Sequence, residues 1–249
     1  MLDVRRLALD VADRAVKTPS SRAPVEGSRP KNCKVDSSGS FDIARHELRR
    51  FRQSLLAWYR RHRRDLPWRH TRDPYAILLS EVMLQQTQAA AVVPYYIRWL
   101  RRFPTVQALA QAGESDVLHA WQGLGYYARA RNLHRCARII AEKYKGTFPP
   151  QAKALQSLPG IGRYTANAIA VFAFNRSLPL VEANTSRVLA RLLNLQDPID
   201  STPGRRRLWE ASASLVPPTN PRDFQNAMMD LGSLICTARH ASCHLCPVK

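Results

Sequence analysis

Residues 155–170 read LQSLPGIGRYTANAIA, and no other stretch restricts the fold of this chain as strongly. An apolar helical end carrying Leu155 and Leu158 runs into Pro159-Gly160-Ile161-Gly162, and a second apolar helix starts at about Arg163. Pro159 stops the first helix because its ring carries no N–H and clashes with the preceding turn. Gly160 and Gly162 let the backbone turn tightly and lie against another molecule with no Cβ in the way. The second helix begins at that turn with its unpaired N–H groups pointing outward, a geometry that attracts a phosphate. The pattern is that of a helix-hairpin-helix element that binds DNA. The same four residues would also suit an ordinary corner between two packed helices, so the rest of the chain has to decide.

Charge narrows the choice. The 249 residues carry a formal net charge of +19, which calls for a polyanionic partner, with nucleic acid first and an anionic membrane surface second. No apolar run approaches the roughly 18 residues needed to span a bilayer, so no membrane protein is expected. Residues 1–40 lack the apolar stretch of a secretory signal, and Asp3, Asp10, Asp13 and Glu26 argue against a mitochondrial presequence. They read as a disordered basic tail. Of the five cysteines, Cys236, Cys243 and Cys246 crowd into the last fourteen residues. A secreted disulfide framework would spread and pair them, so the clustering indicates a reducing compartment and a metal site.

Strand signals are almost absent, and the folded part reads as consecutive amphipathic helices. The spacing predicts helices over 44–59, 75–86, 92–102 (opened by Pro94), 106–112, 115–122, 128–144, 152–158, 164–174, 185–193, 205–215 and 223–235. Short loops bearing Pro or Gly separate them. The run Arg60–Arg64 reads as a solvated helix end.

Four constellations could carry chemistry. Glu81 lies in AILLSEVMLQQT with apolar neighbours on most sides. It is either a surface group or a buried one whose raised pKa suits it to donate a proton. Glu182, in VEANTSRV, sits where it could be functional or simply cap the next helix, with Asn184 and Thr185 as rival caps. In WQGLGYYARARNL, Gly123 and Gly125 allow a close turn, Tyr126 and Tyr127 could stack on bases, and Arg129 and Arg131 could hold phosphates. A tyrosine-rich helix corner is the plainer alternative. Cys236-x6-Cys243-x2-Cys246-Pro247 is three quarters of an iron–sulfur pattern, with zinc as competitor.

Several blocks occur in order: LPW at 66–68, LSEVMLQQTQ at 79–88, GLGYYARARN at 123–132, LPGIGRYTA at 158–166 and AMMDLG at 227–232. Taken together, residues 45–249 resemble the MutY family of adenine DNA glycosylases, within the helix-hairpin-helix base-excision superfamily. The resemblance implies an all-α, two-lobed fold with a C-terminal iron–sulfur cluster loop. One lobe, 72–178, would bear the hairpin at 155–174. The other would combine 41–71 with 179–249.

It also implies hydrolysis of the N-glycosidic bond of adenine mispaired with 8-oxoguanine or guanine, in double-stranded DNA, by a monomer that flips the nucleoside out of the helix. Glu81 matches the general acid. Glu182, in E-A-N, stands where the family has the Asp of D-G-N beside a developing oxocarbenium ion, and Asn184 matches the neighbouring Asn. The extra methylene moves that carboxylate by about one C–C bond, ~1.5 Å. Tyr164 replaces the Schiff-base Lys of bifunctional relatives, so the strand should stay uncut. Trp68 and Arg69 match residues around the flipped adenine, and Asn226 stands where a longer Gln or Glu usually reads its edge. Gln86 and Tyr126 match the groups that fill and wedge the vacated stack, while Gly160, Ile161 and Gly162 would donate N–H groups to a phosphate. Cys236, Cys243 and Cys246 would ligate a [4Fe-4S] cluster whose fourth cysteine would fall just past Lys249, and the family's 8-oxoguanine-recognition domain would lie beyond it too. The expected compartment is the cytoplasm or nucleoid of a bacterium, or the nucleus or mitochondrion of a eukaryote. The rival readings are a thymine glycosylase acting on T·G mismatches and a non-catalytic DNA-binding module on the same scaffold.

Overall fold

The computed structural model describes residues 45–249, so the basic tail expected at 1–40 lies outside the described residues. In chain order the helices are α1 (Arg45–His62), α2 (Pro74–Met83), α3 (Ala89–Arg102), α4 (Val106–Gln111), α5 (Glu114–Trp121), α6 (Ala128–Lys143), α7 (Ala152–Gln156), α8 (Arg163–Phe172), α9 (Ala183–Leu192), α10 (Thr202–Leu215) and α11 (Pro221–Leu234). Short 3₁₀ turns at Pro67–Arg69 and Cys243–Leu245 complete the list. Among the described residues there is no strand, only an isolated bridge between Cys236 and Ala241, and no helix is long and apolar enough to cross a membrane.

Local chemistry explains most helix ends. Asp73 caps α2 by accepting from the Tyr75 N–H at 3.0 Å, and Pro74 follows at the first helical position, where its missing N–H costs nothing. Thr105 caps α4 through the Ala108 N–H at 3.1 Å, and Ser201 caps α10 through Gly204 at 3.1 Å. Two expected boundaries differ. α2 stops at Met83 rather than Gln86, because Gln86 adopts a left-handed φ of 59° that breaks the helix. α3 starts at Ala89, so Pro94 sits inside it rather than at its opening. The bond that Pro94 cannot make falls to the Ala90 carbonyl, and both residues lie on the exposed face, where water can take its place.

Two apolar cores form. The first gathers α2–α8, with Trp99 edge-on to both Trp121 and Phe103. The Tyr75 hydroxyl accepts from Trp99 Nε1 at 3.0 Å and donates to the Phe103 carbonyl at 2.9 Å, so the polar atoms in this aromatic cluster are satisfied. The helix α2 is apolar on nearly all sides, and α8 is buried from Thr165 to Phe172, so both lie deep within it. The second core joins α1 to α9–α11 through Leu55, Tyr59, Val188, Leu208, Phe224 and Leu231.

A buried carboxylate fastens one part to the other. Asp230 of α11 has no exposed side-chain surface and accepts from Arg69 at 2.6 and 2.8 Å and from Arg64 Nε at 2.6 Å. Arg64, read from the sequence as part of a solvated run, is therefore a structural partner. At the other end of α11, Arg222 donates to the carbonyls of Phe172, Arg69 and Thr71 at 2.7–3.0 Å. Burial alone would raise the Asp230 pKa, but the hydrogen bonds and charges of Arg69, with Arg64, more than offset it and hold it below the usual value.

Replacing Asp230 with Ala leaves Arg69 buried and unpaired. The expected cost is about 3–5 kcal/mol, a fall in Tm on the order of 10 °C, read by thermal unfolding at pH 7. A depressed carboxyl pKa stabilises the fold above the unfolded-state pKa and loses that contribution as pH falls through the folded one. The gap between variant and wild type should therefore narrow in acid.

Candidate active site

The site starts from a carboxyl placed where water is scarce. Glu81 sits on α2 among residues that are all buried, and it is itself only 8% exposed. Burial pushes its pKa from 4.5 up to about 7; the Tyr164 hydroxyl of α8 partly opposes the shift, and the Glu182 charge adds to it. The Tyr164 phenol is pushed well above its usual range by burial and by both carboxylates. The structure thus brings Glu81, Tyr164 and Glu182 within electrostatic reach of one another from three separate elements. Near neutral pH, one of the two carboxyl groups can keep a proton.

Glu182 is the N-cap of α9. Its oxygens accept from the Asn184 N–H at 2.8 Å and the Thr185 N–H at 2.9 Å, while the Thr185 hydroxyl accepts from the Glu182 N–H at 2.9 Å. This reciprocal box fixes the carboxylate at the positive end of the helix. Asn184 Nδ2 adds a 3.3 Å bond to the same carboxylate, and its Oδ1 accepts from Arg187 at 2.8 Å. Capping and the position facing Glu81 coexist in one side chain. α11 closes over this turn at Gly232, where an added Cβ would lie 2.7 Å from Asn184 Cβ and 2.9 Å from its carbonyl.

Of three residues expected around a flipped base, two have partners within the fold. Trp68 is nearly buried and packs edge-on to Tyr96 in the first core, at 5.4 Å between ring centroids. Arg69 directs its guanidinium fork to Asp230, as described, and it also lines a cavity with His70, Arg72, Arg222 and Asp223. Asn226 lies buried on α11, four residues before Asp230.

Gln86 and Tyr126 are both exposed, Tyr126 by 67%, and both have left-handed backbones, with φ of 59° and 47°. A single side chain holds their two loops. The Arg129 guanidinium donates to the carbonyls of Val82 (3.0 Å), Met83 (3.1 Å) and Gln85 (2.5 Å) on one loop, and to Leu124 (2.9 Å) and Gly125 (3.3 Å) on the other. It also lies over the Trp121 and Tyr126 rings. This overturns the expectation that Arg129 holds phosphate, since both terminal nitrogens are taken by the main chain and its Nε is buried. Arg131 pairs with Glu114 at 3.2 Å on the surface.

In the hairpin, Gly160 has φ of 73°, and a Cβ there would come within 2.7 Å of Asn132 Cβ, so only glycine fits. Ile161 anchors the turn in the first core. Gly162 caps α8, and a Cβ built on it would meet only open space. The free N–H groups at the start of α8 therefore face outward beside a bare glycine.

The four described cysteines are free thiols; Cys33 lies outside the described residues. Among the described residues no three His, Cys, Asp or Glu side chains converge tightly enough to hold a single metal ion. Burial, with the nearby Cys236 and Cys243, pushes the Cys246 thiol up, and Arg191 reaches the Cys236 thiol at 3.3 Å. Arg187 and Arg191 also bind the carbonyls of Cys236, Thr237 and Ala238. The sequence signal for these arginines was only their i, i+4 spacing on α9.

With the geometry in place, relatives can be compared. Residues 79–213 match the model of the HhH-GPD superfamily of base excision DNA repair proteins. The chain belongs to this superfamily. It is 44% identical over 217 residues to the adenine DNA glycosylase of Homo sapiens, covering 84% of this chain but 39% of that protein. Its identity to the adenine DNA glycosylase of Mycolicibacterium smegmatis is 44% over 196 residues, covering 78% and 66% respectively. The chain thus spans about two fifths of the length of its mammalian relatives. In fold it is similar to a thermostable thymine-DNA glycosylase, with a TM-score of 0.75 and 32% identity over 82% of this chain and 94% of that one. A trapped endonuclease III–DNA intermediate shares the fold at a TM-score of 0.70.

Because the folded protein holds the Glu81 proton to a higher pH than the unfolded chain does, wild type loses stability as pH rises from about 4.5 through about 7. Glu81→Gln removes that penalty. The variant should gain up to about 3 kcal/mol over wild type between pH 5 and pH 8, measured by denaturant unfolding at both values. An equal difference at the two pH values would show that Glu81 is not desolvated.

Proposed function

We propose that this protein is a monofunctional DNA glycosylase that hydrolyses the N-glycosidic bond of adenine mispaired with 8-oxoguanine or guanine. The observation that carries this reading is the buried Glu81 carboxyl, able to keep a proton near neutrality while a second carboxylate, Glu182, acts on it from a helix N-terminus. Duplex DNA would dock on the outward N–H groups of the hairpin, and the target nucleoside would leave the stack at a cost of a few kcal/mol. Glu81 would donate its proton to the departing purine, a step worth about 10²–10⁴-fold in general acid catalysis. The C1′ cation so formed would sit beside the fixed negative charge of Glu182, while Glu81, now ionised, accepts a proton from the attacking water. Tyr164 cannot form an imine, so the sugar–phosphate strand survives.

In the deciding experiment the protein is incubated with duplexes carrying A·8-oxoguanine, A·G or T·G. Adenine release, with the strand uncut until alkali is added, supports the proposal, as does loss of at least about 10²-fold in Glu81→Gln. Turnover should also fall as pH rises past about 7, when Glu81 loses its proton. Thymine release from T·G instead would favour the second reading, which rests on the similarity to the thymine-DNA glycosylase structure. No release from any duplex would leave a DNA-binding module.

The thiols of Cys236, Cys243 and Cys246 suit three corners of a [4Fe-4S] cluster: they are free and lie within eleven residues of chain. Bound there, the cluster would act as a cross-link that pins the C-terminal loop. Protein purified without oxygen should carry iron and acid-labile sulfide that Cys243→Ser lowers sharply; zinc in their place would refute the assignment.

A further inference from the structure

Beside the hairpin lies a second basic surface that the proposed chemistry does not use. Arg163, the first residue of α8, lies 3.8 Å above the centre of the Trp209 ring of α10. Arg205, Arg206, Trp209, Glu210 and Ala213 complete a groove of about 480 Å³ with it. Arg163, Arg205 and Arg206 are exposed. The ion pair within the groove, Arg206 Nε to Glu210 Oε1 at 3.7 Å, is long and leaves both side chains largely in solvent, so it contributes little. Three guanidinium groups thus share one carboxylate. The stack on Trp209 holds Arg163 in place without using its hydrogen-bond donors. Gly162, one residue before Arg163, has open space where a Cβ would lie.

We propose that the groove between the start of α8 and the first turns of α10 is a second anchorage for duplex DNA, taking backbone phosphates beyond the one held by the hairpin. The first lobe would supply the hairpin and the second lobe this groove, so that one duplex bridges both. A guanidinium fork suits phosphate oxygens, and the stacked Arg163 needs little ordering on binding. The groove carries no base-reading geometry, so its contribution is independent of sequence and of the mismatch.

Counting released counterions is the test. Affinity for an undamaged duplex is measured against salt for wild type, for Arg205→Ala/Arg206→Ala, and for Arg49→Ala/Arg50→Ala. The last pair removes equal charge from α1, whose Arg52 binds carbonyls at the far, C-terminal end of α10. Each phosphate contact contributes about 0.9 to the slope of log K against log salt. The groove variant should lower the slope by about 2, and the α1 variant should leave it unchanged. An unchanged slope in the groove variant, or an equal fall in both, overturns the proposal. The slopes are read on an undamaged duplex and need no base release, so failure here is separable from failure of the glycosylase reading.

Discussion

The architecture depends on one buried ionic junction. Asp230 gives up its hydration completely, and the forked donors of Arg69 with the Nε–H and backbone N–H of Arg64 make that tolerable. The two arginines flank the turn between α1 and α2, and the carboxylate belongs to α11. The triad therefore fastens the element that introduces the first core to the element that closes the second. Arg222 makes the same connection from the other end of α11, through carbonyls at the end of α8 and around Arg69. Once these are in place, α2, α8 and α9 have fixed relative positions, and each carries one of the three groups that interact at the candidate site.

That arrangement explains why the Glu81 carboxyl behaves unlike a surface acid. Its helix is apolar on nearly every face, and the fold completes the enclosure by laying α8 and its tyrosine alongside. The proton-holding capacity of Glu81 is thus a property of packing, obtained at the expense of stability. Glu182 follows the opposite logic: it stays partly accessible and takes its hydrogen bonds from the helix it begins. Two chemically similar side chains receive different environments, which is the physical requirement for assigning them different roles. The loops bearing Gln86 and Tyr126 depend in turn on Arg129, whose guanidinium satisfies carbonyls that the end of α2 and the Gly123–Gly125 turn leave open.

Much of this was legible in the sequence. Helix number and order followed from apolar periodicity, and the hairpin from Pro159, Gly160 and Gly162. Glu81 stood out as a lone carboxylate in an apolar helix. Asp230, in AMMDLG, carries the same signal of a carboxylate among apolar neighbours. The arginines were harder. In a chain with this much positive charge, Arg64, Arg69, Arg129, Arg187 and Arg222 look alike in sequence. Their destinations are main-chain carbonyls and a carboxylate up to 166 residues away.

What the sequence determined by itself was local: which segments coil, where glycine is obligatory, and which side chains lack the chemistry for an imine. Period, capping residues and turn residues act over a few positions, so they can be read from neighbours. What only the tertiary structure decided was which charges are spent on holding the molecule together and which are left to face a ligand. That depends on solvent access and on partners distant in the chain, and neither exists until the two cores have packed.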